Sequence, residues 1–233
     1  MGGNMKKLLM MLVLIGSVIL IGNGSAMAVT ITGEALLTDG FSNYVDWAVY
    51  NPASKFDLPA GALRSHFKDT VAIGNYLYLY QLENPSQATI DDFFVEIPNR
   101  ASILDFGHIN TYNIDDAIGP TGNEPTATTL EKIYNEEIIY DPINNKYSIN
   151  WDFENHKNGA NKDDGVISNS ETGLMWFISS SKPMFVNGYS DYETNKNAPA
   201  SGTVPGPAPE PASMALLGIG LLGAMGVRLK IRK

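Results

Sequence analysis

Between Tyr147 and Phe153 the chain reads YSINWDF, in which Tyr147, Ile149, Trp151 and Phe153 alternate with Ser148, Asn150 and Asp152. A period of two puts successive side chains on opposite faces of a strand, so this segment has one face for a core and one for water. The same reading applies to Tyr44–Tyr50, with Val45, Trp47 and Val49 inward, and to Asp92–Ile97, with Phe93, Val95 and Ile97 inward. YLYLYQL (76–82) and LMWFI (174–178) are apolar or aromatic on both faces, as in a central strand covered on each side, and their aromatics favour strand over helix.

Turn residues separate these runs at Asn51-Pro52, Asn84-Pro85-Ser86, Ile97-Pro98-Asn99 and Gly119-Pro120. Asp141-Pro142 with Asn144-Asn145, between Ile138-Ile139-Tyr140 and Tyr147, reads as a hairpin loop. Many short strands joined by such loops predict a mainly β domain, an antiparallel β-sandwich. Thr128 with Glu131 matches a capping box and predicts a short helix within 128–137.

The sandwich is bracketed by apolar termini. Lys6 and Lys7, the apolar run Leu8–Gly22 and the small-residue pattern Ala26-Met27-Ala28 make residues 1–28 a secretory signal peptide, cut between Ala28 and Val29. Residues 29–197 then form the ectodomain, long enough to bury about 70% of its unfolded surface. The Pro, Gly and Ala of 198–208 read as an extended spacer that cannot bury a core. Residues 209–233 hold Pro209-Glu210-Pro211, an apolar run 212–227 and a basic end of Arg228, Lys230, Arg232 and Lys233. Sixteen apolar residues reach about 24 Å as a helix against a hydrocarbon core of about 30 Å, which makes a modest transmembrane helix. The basic end orients it with the C-terminus inside.

Charge and composition exclude several classes of function. Of the 25 acidic residues 24 lie between residues 29 and 197, against 10 of the 16 basic ones, leaving that region at about −14. Such a surface repels phosphate, so nucleic acid is not a partner. With no cysteine there is no disulfide, thiolate metal site or Cys nucleophile.

No cofactor fingerprint, HExxH or GxSxG pattern is present. His66, His108 and His156 lie in unrelated contexts, and Asp91-Asp92, Asp115-Asp116, Glu136-Glu137 and Asp163-Asp164 read as solvated acidic segments. A hydrolase would need two of these groups to converge in one pocket. Lys162 spoils a calcium loop at 161–165, though a calcium site using Asp163 or Asp164 with a distant loop stays open. Tyr76, Tyr78 and Tyr80 form the candidate platform for stacking on sugar rings, with core packing as the competing use of the same row. Nothing here specifies a catalyst, and the expectation is a protein that is not an enzyme.

The order Pro209-Glu210-Pro211, apolar 212–227, basic 228–233, behind a signal peptide, resembles the PEP-CTERM proteins, exported substrates of exosortases. FSNYVDWAVYNP, YLYLYQLENPSQATIDDFFVEIP and GLMWFISSSKP are similar to uncharacterised β-rich ectodomains found ahead of that tail. The resemblance implies export through the translocon and transient residence in the inner membrane. It further implies cleavage by an exosortase near Pro209-Glu210-Pro211, and a destination at the cell surface or in an extracellular, exopolysaccharide or biofilm matrix. It implies no activity for residues 29–197; a carbohydrate-binding module is the alternative to an inert matrix protein, and a secreted hydrolase a further one.

Overall fold

The computed structural model describes residues 29–38, 42–52, 58, 61–85, 88–112, 114, 129–154, 165–192 and 199–209. The signal peptide through Ala28, His156, Asp115-Asp116, Asp163-Asp164, Glu210, Pro211 and the apolar run 212–227 lie outside them.

The described chain is mainly β, as the alternation predicts. Its strands are β1 (Val29–Thr38), β2 (Ser42–Asn51), β3 (Tyr76–Asn84), β4 (Ile90–Ile97), β5 (Ile103–Ile109), β6 (Thr129–Glu131), β7 (Asn135–Asp141), β8 (Lys146–Asp152), β9 (Ser170–Thr172), β10 (Leu174–Ser179), β11 (Pro183–Tyr192) and β12 (Ala200–Pro207). They make one sheet in the order β5-β10-β3-β2-β1-β12-β11-β4-β8-β7, antiparallel along this path, with β9 beside β3 and β6 parallel to β9. The sheet folds over at β1 and β12, where the pairing shrinks to Thr38 opposite Ser201. Its halves then face each other as in a sandwich, across a core that includes Val45, Tyr80, Phe93, Trp151 and Phe177.

The two-sided strands are two-sided in the structure. Tyr78, Tyr80 and Leu82 of β3 enter the inner core. Leu77 and Leu79 face outward into a second cluster with Trp176 and Ile178 of β10. Helix α1 (Ala62–Phe67) covers that cluster with Leu63 and Phe67, one turn apart on one face.

Three expectations are corrected. The helix expected within 128–137 is replaced by β6 and the start of β7, because Ile133 and Ile138 are drawn into the inner core and local capping chemistry loses to burial. The spacer expected at 198–208 is in large part β12, paired with β11 from Ala200 to Pro207. Its composition is what the fold requires there. A Cβ on Gly202 would lie 2.5 Å from the Leu36 carbonyl oxygen, and one on Gly206 would lie 2.4 Å from a Val186 methyl. Pro205 and Pro207 are two residues apart, so their missing N–H groups fall on one edge. The β1 ladder has already ended at Ser201, and that edge has no pairing left to complete.

The tyrosine row is the third. Tyr78 and Tyr80 are fully buried and Tyr76 packs partly buried against the same core. Tyr78 stacks on Phe177 at 4.4 Å. Its hydroxyl donates to the Ser181 carbonyl at 3.0 Å, and the Tyr80 hydroxyl donates to the Pro205 carbonyl. The row ties β3 to the opposite half of the fold and is not a platform for a sugar.

The register gives the domain two chemically different ends. β1, β3, β5, β8 and β11 begin, and β2, β4, β7, β10 and β12 finish, at the end where the chain leaves. The opposite end is acidic. There Asp191, Asp92 and Asp152 stand side by side on β11, β4 and β8. Burial, with the charges of Asp152, Asp191 and Glu154, outweighs the hydrogen bond from Asn150 and pushes Asp92 up to about 6.

Three outcomes follow from this architecture. A chain cut after Asn197 should fail to fold, whereas one ending after Pro209 should give a cooperative denaturation curve and dispersed NMR amide signals. Trp151 reaches from β8 to donate its indole N–H to the Gly107 carbonyl of edge strand β5 at 3.0 Å, so Trp151→Phe should cost about 1–2 kcal/mol in urea denaturation. Ionising Asp92 opposes folding. That penalty is complete above pH about 6 and disappears below its ordinary value near 4, so Asp92→Asn should stabilise by about 1–2 kcal/mol at pH 7.5. The gain should be gone at pH 3.5, which a pH series of thermal melts reads directly.

Candidate functional site

Pro209, the first of the residues expected to carry processing, sits just beyond the end of β12. Pro207 is its last residue, opposite Pro183, and the Ala208 amide donates to the Lys182 carbonyl at 2.7 Å. This holds the chain against β11 for one step beyond the ladder. Pro209 follows and is exposed. It borders a surface cavity of about 340 Å³ with Glu96, Lys146, Met184 and Phe185 among the lining residues.

One carboxylate organises the polar side of that cavity. Glu96 on β4 accepts from Lys146 at 2.8 Å, Tyr189 at 2.6 Å and Asn187 at 3.1 Å. Partial burial would raise its pKa, but these three donors outweigh burial and hold it below the usual carboxylate value. Burial and the neighbouring Glu96 together push the Tyr189 hydroxyl up to about 12, so it stays a donor at any physiological pH. The apolar side is formed by Phe185, whose ring meets Trp47 edge to face at 6.0 Å. Composition gave no hint of this cavity, because Glu96, Lys146 and Phe185 are separated by 39 residues or more along the chain but lie on three neighbouring strands, β4, β8 and β11.

Val29, the residue after the expected signal cleavage, begins β1 at this same end. Both boundaries at which processing is expected therefore lie at one end of the domain, adjoining its first and last strands.

His66 and His108, the two histidines among the described residues, make separate contacts. His66, on α1, packs edge to face against Phe67 at 4.7 Å and Trp176 at 5.9 Å. His108, on β5, meets Glu136, on β7, with Nδ1 to Oε2 at 2.6 Å. The pair spans the gap where the two edges of the sheet approach, close to the bond from Trp151 to Gly107, and its visible chemistry is closure of that seam. Among the described residues the His108 imidazole makes no other side-chain hydrogen bond. Of the paired carboxylates, Asp91 is buried, with its carbonyl accepting from the Phe153 amide, while Asp92 belongs to the row at the far end. Among the described residues no group of three His, Asp or Glu side chains is placed to hold a metal ion. Nor, among them, is any helix long and apolar enough to cross a membrane.

No curated protein and no solved structure matches this chain. A family model does, over the last residues: the PEP-CTERM protein-sorting motif, at 207–233. It begins on the final residue of β12. The exit of the domain and the start of the sorting signal are thus the same place, and the chain carries the C-terminal motif of a PEP-CTERM protein, exported as a membrane-anchored precursor and sorted by an exosortase.

Proposed function

We propose that the mature protein is a non-enzymatic component of the cell surface or extracellular matrix, in contact with exopolysaccharide. In this reading an exosortase frees it from the inner membrane by a cut near Pro209-Glu210-Pro211. The observation that carries the reading is the contiguity of β12 with the sorting motif. A cut at 209–211 leaves every strand of the domain intact, as expected if the domain is the cargo and the tail its address. The acidic far end suits a protein that remains soluble in a hydrated matrix. His108 and Glu136 are engaged with each other across the seam, and His66 is packed on two aromatic rings, which favours structural uses of these groups over hydrolysis.

Mass spectrometry of the protein recovered from exosortase-positive cells should find a C-terminus close to Pro209–Ala212, and an intact Lys233 would overturn processing. The matrix role predicts that residues 29–209 bind the producing cell's exopolysaccharide on a glycan array, without turnover of the polymer. Shortened glycan products would instead identify a hydrolase.

A further inference from the structure

We propose that the exit end of the domain is a seat for the lipid bilayer, holding the precursor flat on the membrane surface until it is cut. This rests on the reading of residues 212–227 as the membrane segment.

Reach is the first argument. Because β12 runs to Pro207 and the chain stays on β11 through Ala208, only Glu210 and Pro211 separate Pro209 from the apolar run. Three residue steps span at most about 11 Å even fully extended. A headgroup layer is about 5–8 Å deep on each side, so even at full stretch the end of the domain that the chain leaves stands only a few ångströms beyond it and is held within reach of the lipid.

The chemistry of that end fits such contact. Of the ten large apolar side chains exposed among the described residues, only Leu36, Tyr134 and Ile167 lie away from it. Ile143, at the tip of the β7–β8 turn, is 91% exposed, Ile73, in the loop before β3, 73%, Phe185 62% and Leu104 52%. They come from separate strand ends and loops, and Phe185 keeps its exposure despite its edge contact with Trp47. Single exposed apolar residues are ordinary, but a set projecting from one end is characteristic of a surface that meets something apolar.

Charge is distributed to match. Arg100, Lys146 and Lys182 lie at the same end, in the turn after β4, at the start of β8 and just before β11. Asp91, Asp92, Asp152, Glu154 and Asp191 occupy the opposite one. A chain of strongly negative total charge would be repelled by anionic lipid if that charge were spread evenly. Turned this way, the row Asp191-Asp92-Asp152 points away from the membrane, Glu96 and Asp141 at the near end are engaged by Lys146 and by the amides of the β7–β8 turn, and Arg100 and Lys182 sit at headgroup level beneath the apolar tips, as on interfacial protein surfaces. Seating also keeps Pro209-Glu210-Pro211 at the depth where a membrane enzyme works.

The absence of cysteine makes the test clean. Ile143→Cys, Met184→Cys, Tyr134→Cys and Leu217→Cys are each made in the full chain and reconstituted in phosphatidylethanolamine–phosphatidylglycerol vesicles. Each carries a nitroxide, and its collisions with oxygen and with a water-soluble nickel chelate are compared. The expected result is a ratio of oxygen to nickel collisions several-fold higher at 143 and 184 than at 134, with 217 higher still. Labels at 143 and 184 as wet as the one at 134, with 217 in hydrocarbon, would overturn the seat while leaving the anchor intact, and would assign the apolar end to a protein partner such as the processing enzyme. A wet label at 217 would overturn both readings. Ile143 is on an exposed turn, so its replacement leaves the fold undisturbed.

Discussion

The fold depends on its last strand. β12 lies between β1 and β11, and without it the sheet separates into β5-β10-β3-β2-β1 on one side and β11-β4-β8-β7 on the other. Its grip on the two halves is unequal: eight residue pairs hold it to β11, while a single register pair holds it to β1. The shortfall is met from inside. Tyr80, on β3, crosses the core to the Pro205 carbonyl, and Asn43, on β2, donates to Ser190 at 3.1 Å and also to the Tyr192 hydroxyl, both on β11. Buried donors used in this way are effective because the alternative is an orphaned carbonyl in a low-dielectric core.

The same economy closes the other side of the sheet. β5 and β7 are edge strands, and an open edge invites pairing with another chain. They approach each other without forming a ladder. Instead the Trp151 indole reaches the Gly107 carbonyl, and His108 meets Glu136. Gly107 is bare for a further reason: a Cβ there would stand 2.8 Å from the Trp176 ring, which lies over the glycine from the neighbouring strand. Large aromatic rings over glycine thus fill the sheet where a second side chain would be excluded, and the seam gains a carbonyl accessible to Trp151.

What the sequence made legible was whatever a strand states locally. β2, β4, β8 and the hairpin at 141–145 follow from alternation and turn residues, and the two-sided character of β3 and β10 follows from their unbroken apolar runs. Three things were illegible because they are set by distant partners. In ASGTVPGP, Gly and Pro answer to the close approach of Leu36 and Val186 and to an unpaired edge, and neither demand can be seen in the segment itself. Tyr78 and Tyr80 have the composition of a binding platform, but their hydroxyls find backbone carbonyls about a hundred residues away, and that pairing decides which way the row faces. The meeting of His108 with Glu136 was likewise hidden, since it exists only once β5 and β7 become opposite edges of one sheet.

The placement of β12 also constrains how the protein can be processed. A sorting tail behind a long linker could be cut at many points without consequence for the cargo. Here the margin is short: upstream of Pro207 a cut removes part of the strand that joins the halves, and downstream of Ala212 it leaves apolar residues on the released domain. Between them lie Ala208, Pro209, Glu210 and Pro211. Pro at 209 and 211 restricts the backbone of this short stretch toward extended conformations and removes amides that could extend the ladder. The strand therefore stops where the address begins. On the proposed cut, a motif built from alternating prolines would serve two ends in this chain, favouring an extended substrate and insulating the fold from loss of the tail.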